Sequence, residues 1–230
     1  MWLRYTQSGL LVLFPQDDPG KIIDAMLQTG YSEDYCISLD AAPDFIARLM
    51  KAGFLVMSAR IETTETVIFL PKLHTIRSVL HFDNVHIKKS IQRHLSRYEL
   101  RFDTDFDHIV DRCIAVHGDD WLTPPLIDAV REIRAEKLYG VYPVSFALYR
   151  NGKLVAGEFG ITAGNVYTAY SGYYDESNAG TVQIILAARY LQEHGFAFFD
   201  LGMPLDYKTT LGAINIDAEE FVALFRAAQI

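Results

Sequence analysis

Asp200 closes a short apolar run, residues 196–200, at the point where the loops of an open α/β sheet commonly form a ligand crevice. A carboxylate placed there can orient a water or hold an amine, and it can equally do no more than cap nearby backbone amides. Four tyrosines, Tyr167, Tyr170, Tyr173 and Tyr174, lie on one strand-like segment and the loop after it. Strand alternation puts Tyr167 and Tyr173 on the face opposite Tyr170 and Tyr174. Such rings can stack on a base or line an apolar pocket, although ordinary strand packing accounts for most tyrosines in β structure. Trp121 offers a similar choice, between stacking on a base and anchoring the helix that starts at Thr123. A third group is cationic. His86, Lys89, Arg93 and Arg97 recur at helical spacing opposite Ile87, Ile91 and Leu95, with Lys88 and Arg101 beside them and Glu99 as the one acid nearby. On an acidic chain this stripe is the best candidate for phosphate contact, whereas the usual fate of such a stripe is a solvated helix face.

Other chemistries find little support. No histidine stands at a metal-ligand spacing from another histidine or a carboxylate, so no metal site is expected. Neither a Gly-rich phosphate loop nor a nucleophile elbow occurs. Residues 177–180 open a helix and could accept an anion through free amides, but they lack the R-x-x-G-x-G/A pattern of acetyl-coenzyme-A-dependent enzymes. A bound organic cofactor is therefore not expected. Cys36 and Cys113 are far apart, and Cys113 lies among Ile109, Val110, Ile114 and Val116, which reads as a buried thiol. That usage fits a reduced, cytoplasmic protein. No apolar run approaches the length of a membrane span, and the opening Met-Trp-Leu-Arg-Tyr lacks the regions of a secretory signal. The formal net charge of −8 argues against wholesale wrapping of nucleic acid and leaves room for a local basic strip.

The elements that must position these groups fall in two parts. Residues 1–82 are expected to form a small N-terminal α/β domain: a strand at 9–14, a helix from Asp18-Pro19 to Gly30, a second from Ala42-Pro43 to Gly53, and strands at 67–70 and 78–80. Residues 83–230 form the expected second domain. It opens with a helix over 85–97, a strand at 98–102, a helix over 103–116 with Asp103 as N-cap, and a helix started by Thr123-Pro124. The clearest signal follows. Strands at 144–149 and 153–161 flank Asn151-Gly152, which supplies the positive φ values a type I′ hairpin turn needs. A second turn at Ala163-Gly164 leads to a third strand, 165–171, a buried helix, 179–194, closed by Gly195, and the strand 196–200. A meander, a buried crossover helix and a further strand is the layout of the acetyltransferase-like α/β fold, a mixed sheet flanked by helices.

Three stretches resemble the leucyl/phenylalanyl-tRNA–protein transferases. Trp121-Leu122-Thr123-Pro124 looks like that family's W-[IL]-T-P segment. Gly152-Lys153-Leu154-Val155-Ala156-Gly157-Glu158-Phe159-Gly160 is similar to its G-x-L-V-G-G-[LI]-Y-G hairpin. Asp200, then Thr210-Leu211-Gly212-Ala213 and Glu220-Phe221-Val222, resembles its D-C-Q…S-L-G-A…E-F-L ending. Phe14-Pro15, residues 48–55 and residues 86–110 match its order of elements, so the resemblance covers nearly the whole chain.

That resemblance implies an amide-forming acyl transfer in the cytoplasm, within N-degron-directed protein degradation. Leucine, phenylalanine or a similar amino acid would pass from an aminoacyl-tRNA to the N-terminus of an acceptor protein. It assigns a catalytic role to Asp200, and an aminoacyl and adenosine pocket to Trp121, Ser145, Tyr167, Tyr170, Ser171 and Gly202. The acceptor stem falls to Lys88, Lys89, Arg93, Arg97 and Arg101. Several family residues are replaced. The glutamate and methionine of its G-E-S-M-F segment become Tyr170 and Gly172, the glutamine after its aspartate becomes Gly202, and a strand carboxylate becomes Ala147. The histidine before S-L-G-A becomes Tyr207, and tryptophans become Met57 and Phe69. Two alternatives stay open: another acyltransferase of this fold, such as a tRNA-dependent peptide-bond-forming enzyme, or a non-catalytic RNA- or degron-binding relative.

Overall fold

A computed structural model describes residues 3–229. The first two helices, α1 (Pro19–Thr29) and α2 (Pro43–Ala52), each start on proline and stop at a left-handed glycine, Gly30 (φ 62°) and Gly53 (φ 108°). The Asp18 carboxylate caps α1 by accepting from the Gly20 and Lys21 amides. Next come β1 (Leu55–Ile61) and β2 (Thr66–Lys72), which pair antiparallel as a separate two-stranded sheet. The chain then supplies β3 (Ile76–Leu80), the short helix α3 (Lys89–Gln92), β4 (Glu99–Phe102), α4 (Phe106–His117) and α5 (Pro124–Glu136). The meander β5 (Val141–Arg150), β6 (Lys153–Ala163) and β7 (Val166–Tyr174) follows, with left-handed Asn151 and Gly152 in its first turn. Finally come α6 (Ala179–Glu193), β8 (Phe198–Asp200), α7 (Asp206–Thr210), β9 (Ile214–Asp217) and α8 (Ala218–Ala227).

These strands make one seven-stranded mixed sheet in the order β4-β5-β6-β7-β8-β3-β9. Every neighbouring pair is antiparallel except β7 and β8, which the crossover helix α6 joins in parallel. One face of the sheet is covered by α6, whose Val182, Ile185, Ala188 and Leu191 pack in one cluster with Phe146, Tyr167 and Phe199. The other face carries a larger cluster that runs without a break from Ile23, Phe45 and Leu49 of the N-terminal helices to Ile109, Val130 and Phe225. The fold is thus a mixed α/β sheet flanked by helices. β3 lies on the N-terminal side of the residue 82 boundary, yet it is an internal strand of the large sheet between β8 and β9.

Four local expectations change. Residues 9–14 make only isolated bridges, Tyr5 with Leu11 and Val12 with Ile37, because the chain meets its neighbours at single points; buried Leu11 and Leu13 produced the strand-like pattern. The helix expected over 85–97 shrinks to α3 and a separate turn at Leu95–Arg97. Lys88 is extended (ψ 139°), and the His86 amide is tied to the Leu211 carbonyl at 2.9 Å. Asp103 does not cap α4; its carboxylate accepts from Arg134 at 2.6 Å and Tyr142 at 3.1 Å. A bulge opposite Phe159 and Gly160 inserts Tyr170 into β7. It flips the alternation, so Tyr173 packs in the same cluster as Tyr170 and Tyr167 in the opposite one.

Candidate functional site

Parallel pairing of β7 with β8 covers only Val166–Phe198, Tyr167–Phe199 and Thr168–Asp200. There β8 ends while β7 runs on to Tyr174, and among the described residues no strand pairs with this part of β7 on the side away from β6. A gap in the strand pairing, the opening, therefore lies beside the far half of β7, where the chain runs from Asp200 through Gly202 into α7. Such an opening at the carboxyl ends of parallel strands is where open α/β sheets bind ligands.

Asp200 stands at the root of this opening but not on its surface. It is fully buried and forms a two-pronged ion pair with buried Arg77 of β3: Nε donates to Oδ1 at 2.8 Å and Nη2 to Oδ2 at 2.6 Å. Oδ1 also accepts the Gly202 amide at 2.9 Å, and Oδ2 the Thr168 hydroxyl at 2.9 Å. Burial opposes ionisation of this carboxyl, but Arg77 and the two further donors outweigh it and hold Asp200 below the usual carboxylate range. Arg77 in turn lies over the Phe221 ring of α8 at 4.5 Å and donates Nη1 to Nδ1 of His74 at 3.0 Å. Burial and the nearby guanidinium push the His74 imidazole down to about 4, so it is a neutral acceptor. The capping role weighed for Asp200 from the sequence is the one its geometry displays. Left-handed Gly202 (φ 75°) is the residue its carboxylate fixes.

On the α6 side of the sheet sits a second carboxylate that is not consumed in this way. Glu158 of β6 pairs in register with Gly172 of β7, and its Oε1 accepts the Tyr167 hydroxyl at 3.0 Å. No hydrogen bond from the described residues reaches Oε2. Burial pushes the carboxyl up to about 7 against the lowering effects of Tyr167 and Lys208. A Cβ on Gly172 would stand 3.3 Å from Cβ of Glu158, so a side chain there would crowd the stem of this buried residue. Across the opening, Lys208 of α7 is buried and donates Nζ to the Leu201 and Met203 carbonyls at 2.5 and 2.6 Å. Its burial brings the ammonium down to about 8, although Asp200 and Glu158 both favour the charge. Tyr207, half-exposed beside it, has its phenol raised to about 12 by burial and by Glu158.

The remaining residues singled out from sequence separate into three groups. Trp121 and Tyr170 do come together, with ring centroids 6.3 Å apart and planes 27° apart. Tyr170 is nonetheless buried, its hydroxyl has no hydrogen-bond partner among the described residues, and the gap between it, Phe54, Leu55 and Phe225 measures only about 10 Å³, too small for an acyl chain. Ser171 is buried on that same face. Tyr167 and Ser145 are wholly enclosed and cannot touch a ligand: Tyr167 serves Glu158, and Ser145 donates to the Thr104 carbonyl at 2.7 Å. Lys88, Lys89, Arg93 and Arg97 are exposed and form no ion pair with the described residues, whereas Arg101 is taken by Glu99 at 2.8 Å. Lys88 lines a recess of about 100 Å³ and Arg97 another of about 190 Å³, and the two share Ile91 and Asn178. The cations thus gather along a turn-rich segment beside the start of α6.

Arg77, His74, Glu158 and Lys208 escaped the reading of the sequence. Two of them carried a signal. Arg77 interrupts the apolar run of β3, and Glu158 stands where the resembled hairpin has leucine or isoleucine. A charge at an apolar strand position is either paired or functional.

Comparison with known proteins bears on this arrangement. A curated relative from Pseudomonas putida (strain W619), named leucyl/phenylalanyl-tRNA–protein transferase, is 31% identical over 150 residues, 63% of this chain and 65% of its own. A relative of the same name from Dinoroseobacter shibae is 26% identical over 188 residues, 81% of either chain. The first relatives are thus matched over 63–65% of their own length. Among solved structures, L-PGS from Bacillus licheniformis is similar at a TM-score of 0.46 and 13% identity, over 99% of this chain and 89% of that one. The family described as leucyl/phenylalanyl-tRNA protein transferase matches residues 79–226, from the last two residues of β3 into α8, and so takes in strands β4 to β9 and Asp200, while Arg77 lies just before it. On that match, the chain belongs to the leucyl/phenylalanyl-tRNA protein transferase family.

Proposed function

We propose that this chain is an aminoacyl-tRNA–protein transferase, moving leucine, phenylalanine or a similar amino acid onto the N-terminus of an acceptor protein. The observation that carries the reading is the family match over residues 79–226, the segment that builds the opening beside β7. The acceptor's α-amine attacks the ester carbon of the aminoacyl-tRNA, a C–N bond forms, and the C–O bond to the terminal ribose breaks. Such a reaction starts from an activated ester, so holding the two substrates in line supplies much of the rate. In this reading Asp200 is a positioning residue: with Arg77 it fixes the Gly202 turn that shapes one wall of the opening. Lys88, Lys89, Arg93 and Arg97, exposed and without acidic partners among the described residues, meet phosphates of the acceptor stem. Trp121 presents an aromatic edge to the terminal adenosine. The site is cytoplasmic in this reading, where charged tRNA is found; no helix among the described residues is long and apolar enough to cross a membrane. Transfer of labelled leucine or phenylalanine from tRNA to a peptide with N-terminal Arg or Lys tests the proposal. Its absence, with tRNA binding intact, favours a binding protein instead.

A further inference from the structure

On the resemblance to the family, Tyr170 and Ala147 stand where its motifs carry carboxylates. One carboxylate has been added on the neighbouring strand. Glu158 occupies a hairpin position that is aliphatic in the resembled motif, and it lies directly across from Gly172, itself a replacement for a methionine. The two changes fit each other. A side chain at 172 would start 3.3 Å from Cβ and 3.5 Å from Cγ of Glu158 and crowd its stem, whereas with glycine there the buried carboxylate keeps Oε2 without a hydrogen-bond partner among the described residues.

We infer that Glu158 is the proton-accepting residue of this enzyme, with Oε2 facing the acceptor amine and Tyr167 holding Oε1. The inference rests on the transferase reading above. The acceptor arrives as an ammonium and loses one proton to Glu158. Its free amine then attacks the ester carbon, and the second proton leaves the nitrogen as the C–O bond breaks and ends on the ribose oxygen. Glu158 returns its proton to solvent. A carboxylate of ordinary acidity would be a weak acceptor, but burial has pushed this one up to about 7, near the pH of operation. Tyr167 of β7 and Lys208 and Tyr207 of α7 are the titratable groups that face it, and Cys113 of α4 packs under the opposite face of the sheet. Among these Lys208 favours the charged carboxylate, and the Cys113 thiol, raised to about 12 by burial, stays neutral. Lys208 is bound to two carbonyls and is not itself free to shuttle the proton.

The test is a pH series of single-turnover transfer from leucyl-tRNA to an N-terminal Arg peptide, using wild type, E158Q and Y167F. E158Q keeps the shape, removes a buried charge and should fold. Its rate should fall on the order of 10²-fold with peptide KM little changed, and the acid limb near pH 7 should vanish. Y167F deletes a hydrogen bond that favours the carboxylate, so its acid limb should move to higher pH, a change that a purely structural role would not produce. E158Q within about threefold of an active wild type, its acid limb retained, overturns the inference alone. A wild type that transfers nothing from leucyl- or phenylalanyl-tRNA overturns the transferase reading and the inference with it.

Discussion

Replacing Asp200 by asparagine separates positioning from chemistry. In D200N the Arg77 guanidinium, 1% exposed, keeps its charge and loses the carboxylate that met it at 2.6 and 2.8 Å. Breaking one side of a buried ion pair costs about 3–5 kcal/mol, because the other charge is stranded in a low-dielectric interior. The Phe221 face and neutral His74 remain as its neighbours, and neither supplies a negative charge. For a chain of this size that cost lowers Tm by roughly 6–20 °C. Removing both charges in the double variant R77M/D200L strands nothing, although Thr168 and the Gly202 amide lose an acceptor. Its cost should therefore fall short of the sum of the single variants by about 2 kcal/mol or more. Urea unfolding followed by tryptophan fluorescence puts D200N, the single variants R77M and D200L and the double variant on one scale. Transfer rates measured well below each midpoint complete the comparison. Asp200 as a positioning residue predicts lost stability, strong non-additivity, and a rate loss that tracks the fraction folded. Additive single effects below about 1 kcal/mol, with a large fall in kcat, would refute the reasoning and make Asp200 a reacting group.

The pH dependence of stability carries a second prediction, in which two groups oppose each other. The His74 pKa is depressed in the fold, so its contribution is present above the ordinary imidazole value and is lost as pH falls toward about 4. That of Glu158 is raised, so its contribution is present at low pH and is lost as pH rises through about 7. The wild type should be nearly flat between these limits, whereas E158Q should gain on it by about 3 kcal/mol from pH 4.5 to 7.5; parallel curves would contradict the environment assigned to Glu158. Neutralising Lys88, Lys89, Arg93 or Arg97 to glutamine should each lower the salt slope of tRNA binding by about 0.7–0.9. Arg101→Gln should change it least, since Glu99 already holds that guanidinium; equal slopes for all five would sink the assignment. Tyr170→Phe removes a buried hydroxyl without a partner among the described residues and should stabilise by about 1 kcal/mol, with thermal melting as the readout and destabilisation as the contrary result.

Legibility from sequence followed the range of the interactions involved. The hairpin of β5 and β6, the crossover helix α6 and the glycine-stopped helices α1 and α2 declare themselves through local turn chemistry and burial pattern. Their identities are fixed within a few residues of chain. The basic stripe misled because helical spacing of Ile87, Ile91 and Leu95 is also what a bent segment shows when it packs every fourth residue against a core. Only the tertiary tie from His86 to Leu211 reveals the extended start. Asp200 was visible as a candidate, yet its partner Arg77 lies 123 residues away on a strand that enters the sheet out of sequence order. No local pattern encodes such a pairing. The bulge at Tyr170 is equally silent, since one inserted residue leaves composition unchanged while reversing which face the later side chains take. Glu158 was readable in principle, as a charge inside an apolar strand, but its relation to Gly172 needed the register of β6 against β7.

The most direct test of the central claim is a transfer assay with the purified full chain, leucyl- and phenylalanyl-tRNA as donors, and peptides that differ only in an N-terminal Arg, Lys, Asp or Glu. Label on the Arg or Lys peptide from at least one donor is the predicted result. No label on any peptide, under salt conditions where the charged tRNA binds, would contradict a transferase and leave a protein that kept the family's scaffold for binding alone.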